Sequence, residues 1–266
     1  MDKQKKQARA AWQKADYATF ATSLERGLDD FVPRLPIQPD HQVIDIACGS
    51  GNFALRAAML GASVTGIDFN PIALSQAQKR AEKEDLSIQF DLGDMEALPY
   101  RSNQFDWGVS VFGIMFAIDA QAAASELTRV IKPGGQFAIT SWTNESIVGE
   151  LAQVLSRYKK AAPGSARTSN WGSPQAIETL FKQNTSRLIQ TRQMWRYAFP
   201  YGPSAVVDFF RKNSGSHILL FAGLDKDRQQ ALHAELEAVW QRHNQSTDGT
   251  TVADADYLEV IGTVSE

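Results

Sequence analysis

The sequence predicts an α/β fold built on a doubly wound, Rossmann-like parallel sheet, and three observations carry that expectation. The apolar run Val43 to Ile46 leads into the glycine turn Cys48-Gly-Ser-Gly51, the arrangement by which a strand opens a nucleotide-sized site before a helix. From Val43 onward, short apolar runs alternate with stretches of helical period, which implies right-handed crossovers between parallel strands. The punctuation agrees: Gly61 closes the first crossover helix, Asn70-Pro71 opens the second, and Pro133-Gly134-Gly135 makes the turn after the last.

Element by element, residues 8–31 read as one helix, because Trp12, Tyr17, Phe20, Leu24, Leu28 and Phe31 recur at helical spacing until Pro33 and Pro36 end the pattern. Strands are expected over 43–48, 62–67, 86–91, 105–112 and 136–142, with helices over 52–60, 71–84 and 119–131 between them. After Trp142 the regularity breaks. Residues 144–160 and 173–183 read as helices around a Pro163-Gly164 loop, 187–199 as a strand, 204–213 and 225–243 as helices, and 257–264 as a final strand after the Asp248-Gly249 loop. The expected organisation is an N-terminal helical segment (1–36), a core (37–145) and a helical elaboration with the last strands (146–266). No clean linker separates the last part from the core, so it is assigned to the same domain.

At 266 residues the chain is long enough for one α/β domain with a cap. Its single cysteine, Cys48, excludes a disulfide framework, dithiol chemistry and cysteine-rich metal sites, and no metal is expected. Inside the glycine turn a small side chain is needed, and no neighbouring His or Cys activates Cys48, so it reads as a space-filling residue. A net charge of −3 and a pI near 5.9 leave no electrostatic footprint for nucleic acid or an anionic membrane. The start Lys3-Gln-Lys-Lys6 is not followed by an apolar stretch of the signal-peptide kind, and no apolar run approaches the ~20 residues that span a bilayer. A cytoplasmic protein is expected, as monomer or dimer.

The turn Gly49-Ser-Gly51-Asn-Phe-Ala54 fits the fingerprint G-x-G-x-x-G/A, which by itself leaves a nicotinamide dinucleotide and S-adenosylmethionine equally open. Asp45 begins to separate them. A carboxylate at the strand end repels a pyrophosphate but suits a sulfonium and an ammonium. The second strand ends at Asp68, where a carboxylate can accept both hydroxyls of a ribose or, on the plainer reading, cap the helix that begins at Asn70-Pro71. The third strand is followed by Gly93-Asp94-Met95-Glu96-Ala-Leu-Pro99. There a carboxylate and a Met backbone N–H could read an adenine edge, or the segment could be a surface turn. The fourth strand runs into Gly113-Ile-Met-Phe116 at the C-terminal edge of the sheet, where open α/β folds bind ligands.

In order and spacing, Asp45 to Gly51, Gly66 to Asp68, Gly93 to Pro99, Asp106 to Phe112 and Lys132-Pro-Gly-Gly135 resemble the successive motifs of class I S-adenosylmethionine-dependent methyltransferases. The resemblance is to the small-molecule branch similar to ubiquinone/menaquinone C-methyltransferases, and it covers residues 40–145. It implies a seven-stranded sheet, mostly parallel with one antiparallel strand, whose last two strands are 187–199 and 257–264. It also implies S-adenosyl-L-methionine as cofactor. Gly49, Ser50 and Gly51, with Ala47 in the same set, would lie against its methionine moiety, and Asp45 would support the ammonium and the turn. Asp68 would hold the ribose, Phe69 would pack on the adenine, Asp94 and Met95 would read its edge, and Val111 would lend a carbonyl near the amino acid part. Ala54 stands where the family's often absent third glycine would be.

Methyl transfer is an in-line displacement at an already activated carbon, so alignment in a dry pocket does most of the work and no catalytic residue need leave a signature. Three acceptor markers are absent: an Asn/Asp-Pro-Pro-aromatic motif, the paired cysteines of RNA C5-methylation and the multi-cysteine set of arsenic methyltransferases. With the acidic pI, these absences point to a small-molecule acceptor; the aromatic cap favours a hydrophobic one, and the leading expectation is transfer to its O, N or C nucleophile. Phe112, Met115, Phe116 and Trp142 are the pocket candidates, joined by Trp12, Tyr17, Trp171 and His217, for which core packing competes. The stripe Trp195, Tyr197, Phe199, Tyr201 has period two and reads as sheet packing. His217, beside Ile218-Leu-Leu-Phe221, and Tyr17 are the candidate catalytic groups. His41 sits at the wrong end of its strand, and His233 and His243 lie on a charged helix as solvated residues. Two other functions compete: a nicotinamide oxidoreductase, disfavoured by Asp45 and by the lack of a Tyr-x-x-x-Lys pair, and a non-catalytic S-adenosylmethionine-binding module.

Overall fold

The structure, a computed structural model, describes Ala10 and residues 12–13, 17–25, 27–159 and 170–266. Seven strands, β1 (Gln42–Ile46), β2 (Ser63–Asp68), β3 (Ile88–Leu92), β4 (Phe105–Val111), β5 (Ile131–Trp142), β6 (Thr185–Phe199) and β7 (Thr251–Val264), form one sheet in the order β3-β2-β1-β4-β5-β7-β6. The first five pair in parallel. β7 runs against both neighbours. The Ser265 amide donates to the Asn184 carbonyl while Arg196 pairs with Asp254. On the other side the Thr143 amide donates to the Asp256 carbonyl, and Phe137 lies beneath Gly262. The expected mostly parallel sheet with one antiparallel strand is the observed one.

The chain falls into two compact units. A sheet unit comprises Leu24–Ser141, Ala166–Arg192 and Leu258–Glu266, and a helical unit Met1–Ser23, Trp142–Ser165 and Gln193–Tyr257. In the sheet unit, α3 (Asn52–Met59), α4 (Pro71–Lys83), α5 (Ala120–Val130) and α7 (Pro174–Phe181) supply the layers. β1 is buried at every position but Gln42 because both of its faces are covered, as parallel strands require. Val43 enters a cluster with Phe31, Phe53, Val64 and Trp107, and its neighbour Ile44 enters the opposite cluster with Phe105, Leu127, Phe137 and Phe181. The strand order reverses between β1 and β4, and that reversal opens the crevice at the carboxyl ends where α/β sheets hold ligands.

The helical unit holds α1 (Tyr17–Thr22), α6 (Ile147–Tyr158), α8 (Pro203–Asn213), α9 (Gly215–Ala222) and α10 (Lys226–His243). Ser146 caps α6 and Asp225 caps α10 through their side chains. Its core is aromatic. Phe210 stacks on Trp240 at 5.7 Å, and Tyr197 meets both Phe199 and Trp240. The period-two stripe of β6 is therefore packing, as its spacing predicts.

Three expectations need correction. The single helix over 8–31 is broken after α1. The chain turns at residues 23–25 and 27 and resumes as the four-residue α2 (Leu28–Phe31) and the 3₁₀ turn Val32–Arg34. The reason is competition for carbonyls: the Ser23 hydroxyl donates to Phe20 O at 2.7 Å, and Arg56 takes Glu25 O at 3.2 Å. Residues 8, 9, 11, 14–16 and 26 of that stretch lie outside the described residues, as does the Pro163-Gly164 loop. Pro133-Gly134-Gly135 is not a turn before β5. It lies within the strand, which starts at Ile131 and absorbs Gly134 at φ 75° through a register shift opposite Phe105 and Trp107. β7 starts at Thr251, well before 257. Ala253 and Ala255 point inward there, while Asp254 is matched by Arg196 at 2.7 Å, so the polar look of this stretch conceals a strand.

Candidate cofactor site

The site grows from the end of β1. After Ile46 the backbone enters the left-handed region at Ala47 (φ 57°), Gly49 (φ 55°) and Gly51 (φ 81°), the last being the N-cap residue just before α3. Successive reversals of this kind tip backbone N–H groups towards one side. A Cβ at Gly51 would come 2.7 Å from Leu55 Cδ1, which a leucine end can yield, so it is the left-handed φ that calls for glycine there. Cys48 is buried against the turn, and burial pushes its thiol well above the ordinary range, as a space-filling residue requires.

Two buried carboxylates hold the turn. Asp45, 2% exposed, accepts the Ala54 amide at 3.0 Å and so fixes the first turn of α3. Asp68, 8% exposed, accepts the Gly49 amide at 2.9 Å with one oxygen and the Asn70 amide at 2.8 Å with the other. Asp68 is not a helix cap. That place belongs to Asn70, whose side chain accepts from Ile72 N at 3.0 Å. Burial drives the Asp45 carboxyl well above its usual range, and the charge of Asp68 adds to it. Burial likewise raises Asp68 to about 6, against the lowering effect of the amides it accepts. Neither acid makes an ion pair among the described residues. Two desolvated carboxylates beside one turn form a site that favours a cation.

The β4 side of the crevice is equally constrained. Ser110 donates to Ile46 O at 2.7 Å and accepts Ile114 N at 2.9 Å, tying the ends of β1 and β4 together. Phe112 also takes a positive φ, 52°, with its amide given to Thr140 Oγ1 at 2.9 Å. Gly113 then passes so close to Ala47 that a Cβ would come within 2.6 Å of the Ala47 Cβ. Two non-glycine residues in the left-handed region at adjoining strand ends are a concentration of backbone strain typical of ligand sites.

The segment after β3 is no free surface turn. Asp94 accepts Glu96 N at 3.0 Å, and Glu96 reaches across to accept Ile118 N at 2.6 Å and Asp119 N at 3.1 Å, at the start of α5. Glu126 and Arg129 of α5 bind the backbone of Leu98 and Tyr100. Met95 packs on the core, as does Met115. Phe69 and Val111 are half-buried, and Phe116 is 47% exposed. Ser110, Thr140, Glu96 and Arg80, which donates to Ser50 O at 3.0 Å, are the residues that motif reading missed. All four act on backbone atoms, which leaves no pattern in sequence.

The structure thus gathers Asp45, Ala47, Gly49, Ser50, Gly51, Asp68, Phe69, Asp94, Met95, Val111, Phe112, Met115 and Phe116 at the carboxyl ends of β1 to β4 in the sheet unit. Trp171 belongs to the same unit but is fully buried against Phe181, so it is core and not pocket. Trp12, Tyr17, Trp142 and His217 belong to the helical unit. Trp142 lies among Trp195, Tyr197 and Tyr257, Trp12 packs on Gly215, and Tyr17 opens α1. His217 sits near the start of α9 with Nδ1 3.1 Å from Ser214 Oγ. Burial, with the Lys159 charge, pushes it down to about 4, so the ring is neutral at pH 7. His233 and His243 are not merely solvated: the first lies 3.3 Å from Asp208 and the second 2.8 Å from Glu150.

The family profile described as "Methyltransferase domain" matches residues 43–135. An uncharacterized protein of Mycobacterium tuberculosis is 32% identical over 252 residues, spanning 94% of this chain and 91% of that protein. The ubiquinone/menaquinone biosynthesis C-methyltransferase of Zymomonas mobilis is 34% identical over 142 residues, 48% of this chain and 59% of that one. In fold, the chain is similar to phosphoethanolamine N-methyltransferase 2 of Haemonchus contortus, solved with S-adenosyl-L-methionine. The TM-score is 0.56 at 16% identity, covering 91% of this chain and 52% of that one. Among the described residues no helix is long and apolar enough to cross a membrane. The profile, the relative named as a C-methyltransferase, the sheet order and the glycine turn agree, and the chain belongs to the class I S-adenosylmethionine-dependent methyltransferases.

Proposed function

We propose that this protein transfers a methyl group to an O, N or C nucleophile of a small, hydrophobic molecule. The observation that carries the cofactor side is the pair of buried carboxylates, Asp45 and Asp68, set around a left-handed glycine turn at the point where the strand order reverses. When bound there, S-adenosylmethionine supplies a methyl group already activated by its sulfonium. The chain's own residues do the rest. Gly49, Ser50 and Gly51 with Ala47 offer backbone to the amino acid end, and Asp45 supplies compensating charge for its ammonium. Asp68 accepts from the ribose with the lone pairs its amide bonds leave. Phe69, Asp94 and Met95 enclose the adenine, and Val111 faces the amino acid part.

The acceptor class rests on apolar character. Phe112, Met115 and the half-exposed Phe116 follow β4 directly, with Ile118 39% exposed beside them. Trp142 heads an aromatic group in the helical unit. A relative named for ubiquinone and menaquinone biosynthesis is in keeping with an apolar acceptor. His217, neutral at pH 7, is suited to hydrogen-bond an acceptor and poorly suited to hold its proton, and Tyr17 is the alternative polar group.

Isothermal titration with S-adenosylhomocysteine and with NAD tests the reading. The expected result is binding of the first and none of the second, and the reverse rejects the cofactor-site reading. Turnover of radiolabelled methyl donor against phenolic, quinone-like and amine acceptors follows. Cofactor binding with no turnover of any of them excludes those acceptor classes.

A further inference from the structure

We infer that Arg80, on α4 and outside the proposed cofactor contacts, is the positioning residue of the glycine turn, and that it links the turn to the segment around Glu25. The proposal rests on the cofactor reading above. The turn is held at the front by Asp68, through the Gly49 amide. At the rear, one nitrogen of Arg80 donates to Ser50 O at 3.0 Å, Ser50 Oγ at 3.3 Å and Asn52 Oδ1 at 2.5 Å, and the other donates to the Glu25 carboxylate at 2.8 Å. Arg56 runs beside it, from Asn52 O at 3.0 Å to Glu25 O and Asp29. Glu25 is therefore gripped by its carboxylate and its carbonyl, by two arginines that both also hold Asn52.

The physical need is clear from the backbone. Gly49 and Gly51 give the turn its left-handed φ values, but glycine is also the residue with most freedom to leave them. Ser50 stands between the two and is buried, so fixing its carbonyl and hydroxyl fixes the peptide planes on either side. A planar guanidinium does this while pairing with Glu25 from its second nitrogen, and the single point charge of a lysine does not. The Arg80–Glu25 pair itself is about a third exposed on each side, so little of the effect lies in the ion pair. It lies in the bonds to Ser50 and Asn52. Through these bonds a ligand that stiffens the turn also stiffens Glu25 and Asp29.

The test is titration of S-adenosylhomocysteine into the full chain and its Arg80→Lys, Arg80→Ala and Glu25→Gln variants, with the melting temperature of each free protein and hydrogen exchange with and without ligand. Arg80→Ala is expected to weaken binding about tenfold (~1.4 kcal/mol). Arg80→Lys, which keeps charge and fold, should recover only part of that, and Glu25→Gln should lose about twofold. On ligand addition, protection should rise over 25–29 together with 49–52. Unchanged affinity in Arg80→Lys and Arg80→Ala at lowered melting temperature makes Arg80 merely structural and overturns the proposal. Should Arg80→Ala fail to fold, unchanged affinity in Arg80→Lys together with no change in protection over 25–29 does the same. Absence of binding by the unaltered chain rejects the cofactor reading instead, which separates the two failures.

Discussion

The carboxylate of Asp68 accepts the amide of Gly49 at 2.9 Å, so the last residue of β2 sets the position of the turn that follows β1. The same carboxylate is proposed to meet the ribose, and positioning the turn and meeting the ligand are then properties of one group. Asp68→Ala should weaken S-adenosylhomocysteine binding by about 1–3 kcal/mol, through lost charge-assisted hydrogen bonds and a loosened turn. Calorimetric titration of the variant checks it, and an unchanged affinity removes Asp68 from the ribose.

Asp68 also makes opposite demands on pH. Its pKa in the folded chain, about 6, lies above that of an ordinary carboxylate, so the folded state holds the extra proton between the two values. The stabilising contribution is thus fully present below the unfolded pKa and is lost as pH rises through about 6. Ligand binding to the ionised acid runs the other way and weakens as pH falls below about 6. Melting temperatures of the parent chain minus those of Asp68→Asn, taken from pH 4.5 to 7.5, should decline with pH while cofactor affinity climbs.

Gly113 has no room for a methyl group. A Cβ there would stand 2.6 Å from the Ala47 Cβ and 3.0 Å from the Ala47 carbonyl oxygen, so Gly113→Ala should destabilise the fold by about 1–3 kcal/mol. Combining it with Ala47→Gly removes one side of the clash and should recover part of the loss. Urea unfolding of the two single variants and the double measures the coupling.

Glu96 accepts two amides at the start of α5 from a loop on a different strand. Glu96→Ala orphans both and should cost about 1–2 kcal/mol. The amides of residues 94–98 and 117–119 should exchange faster together, which hydrogen-exchange mass spectrometry resolves. Faster exchange in only one of the two segments contradicts the bridge.

Arg34 holds Glu259 of β7 through bonds of 2.6 to 3.2 Å, and the Glu259 side chain is only 4% exposed. Removing the cation strands a buried charge, so Arg34→Met should destabilise the chain by about 3 kcal/mol. Replacing both residues by apolar ones of like volume should cost far less. Thermal unfolding of the single and double variants is the check.

The frame of the candidate cofactor site, its strand, glycine turn and acids, was legible because its requirements are local. A strand, a left-handed turn and an acid at or after the end of each of three strands leave marks at fixed spacing, and Asp45, Asp68 and Asp94 stand where those marks point. What holds them was not legible. Thr140, Glu96 and Arg80 bond to the backbone of Phe112, Ile118 and Ser50, and Ser110 bonds to the carbonyl of Ile46 on the neighbouring strand. Every residue presents the same carbonyl, and every one but proline the same amide, so these bonds select nothing about the partner's identity. The same blindness explains the N-terminal error: Trp12 to Phe31 carry helical spacing, but carbonyls claimed by Ser23 and Arg56 end the helix early. β7 is longer than its sequence predicts because Asp254 and Asp256 have the polarity of a loop, and only the arginine beside Asp254 reconciles that polarity with a strand.

Ala47 holds a φ of 57° without being glycine, a conformation that disfavours an L-residue by about 1 kcal/mol. Glycine at 47 would release that strain and would survive any selection for heat resistance alone. A laboratory lineage bred only to endure temperature would therefore drift towards a softer crevice wall.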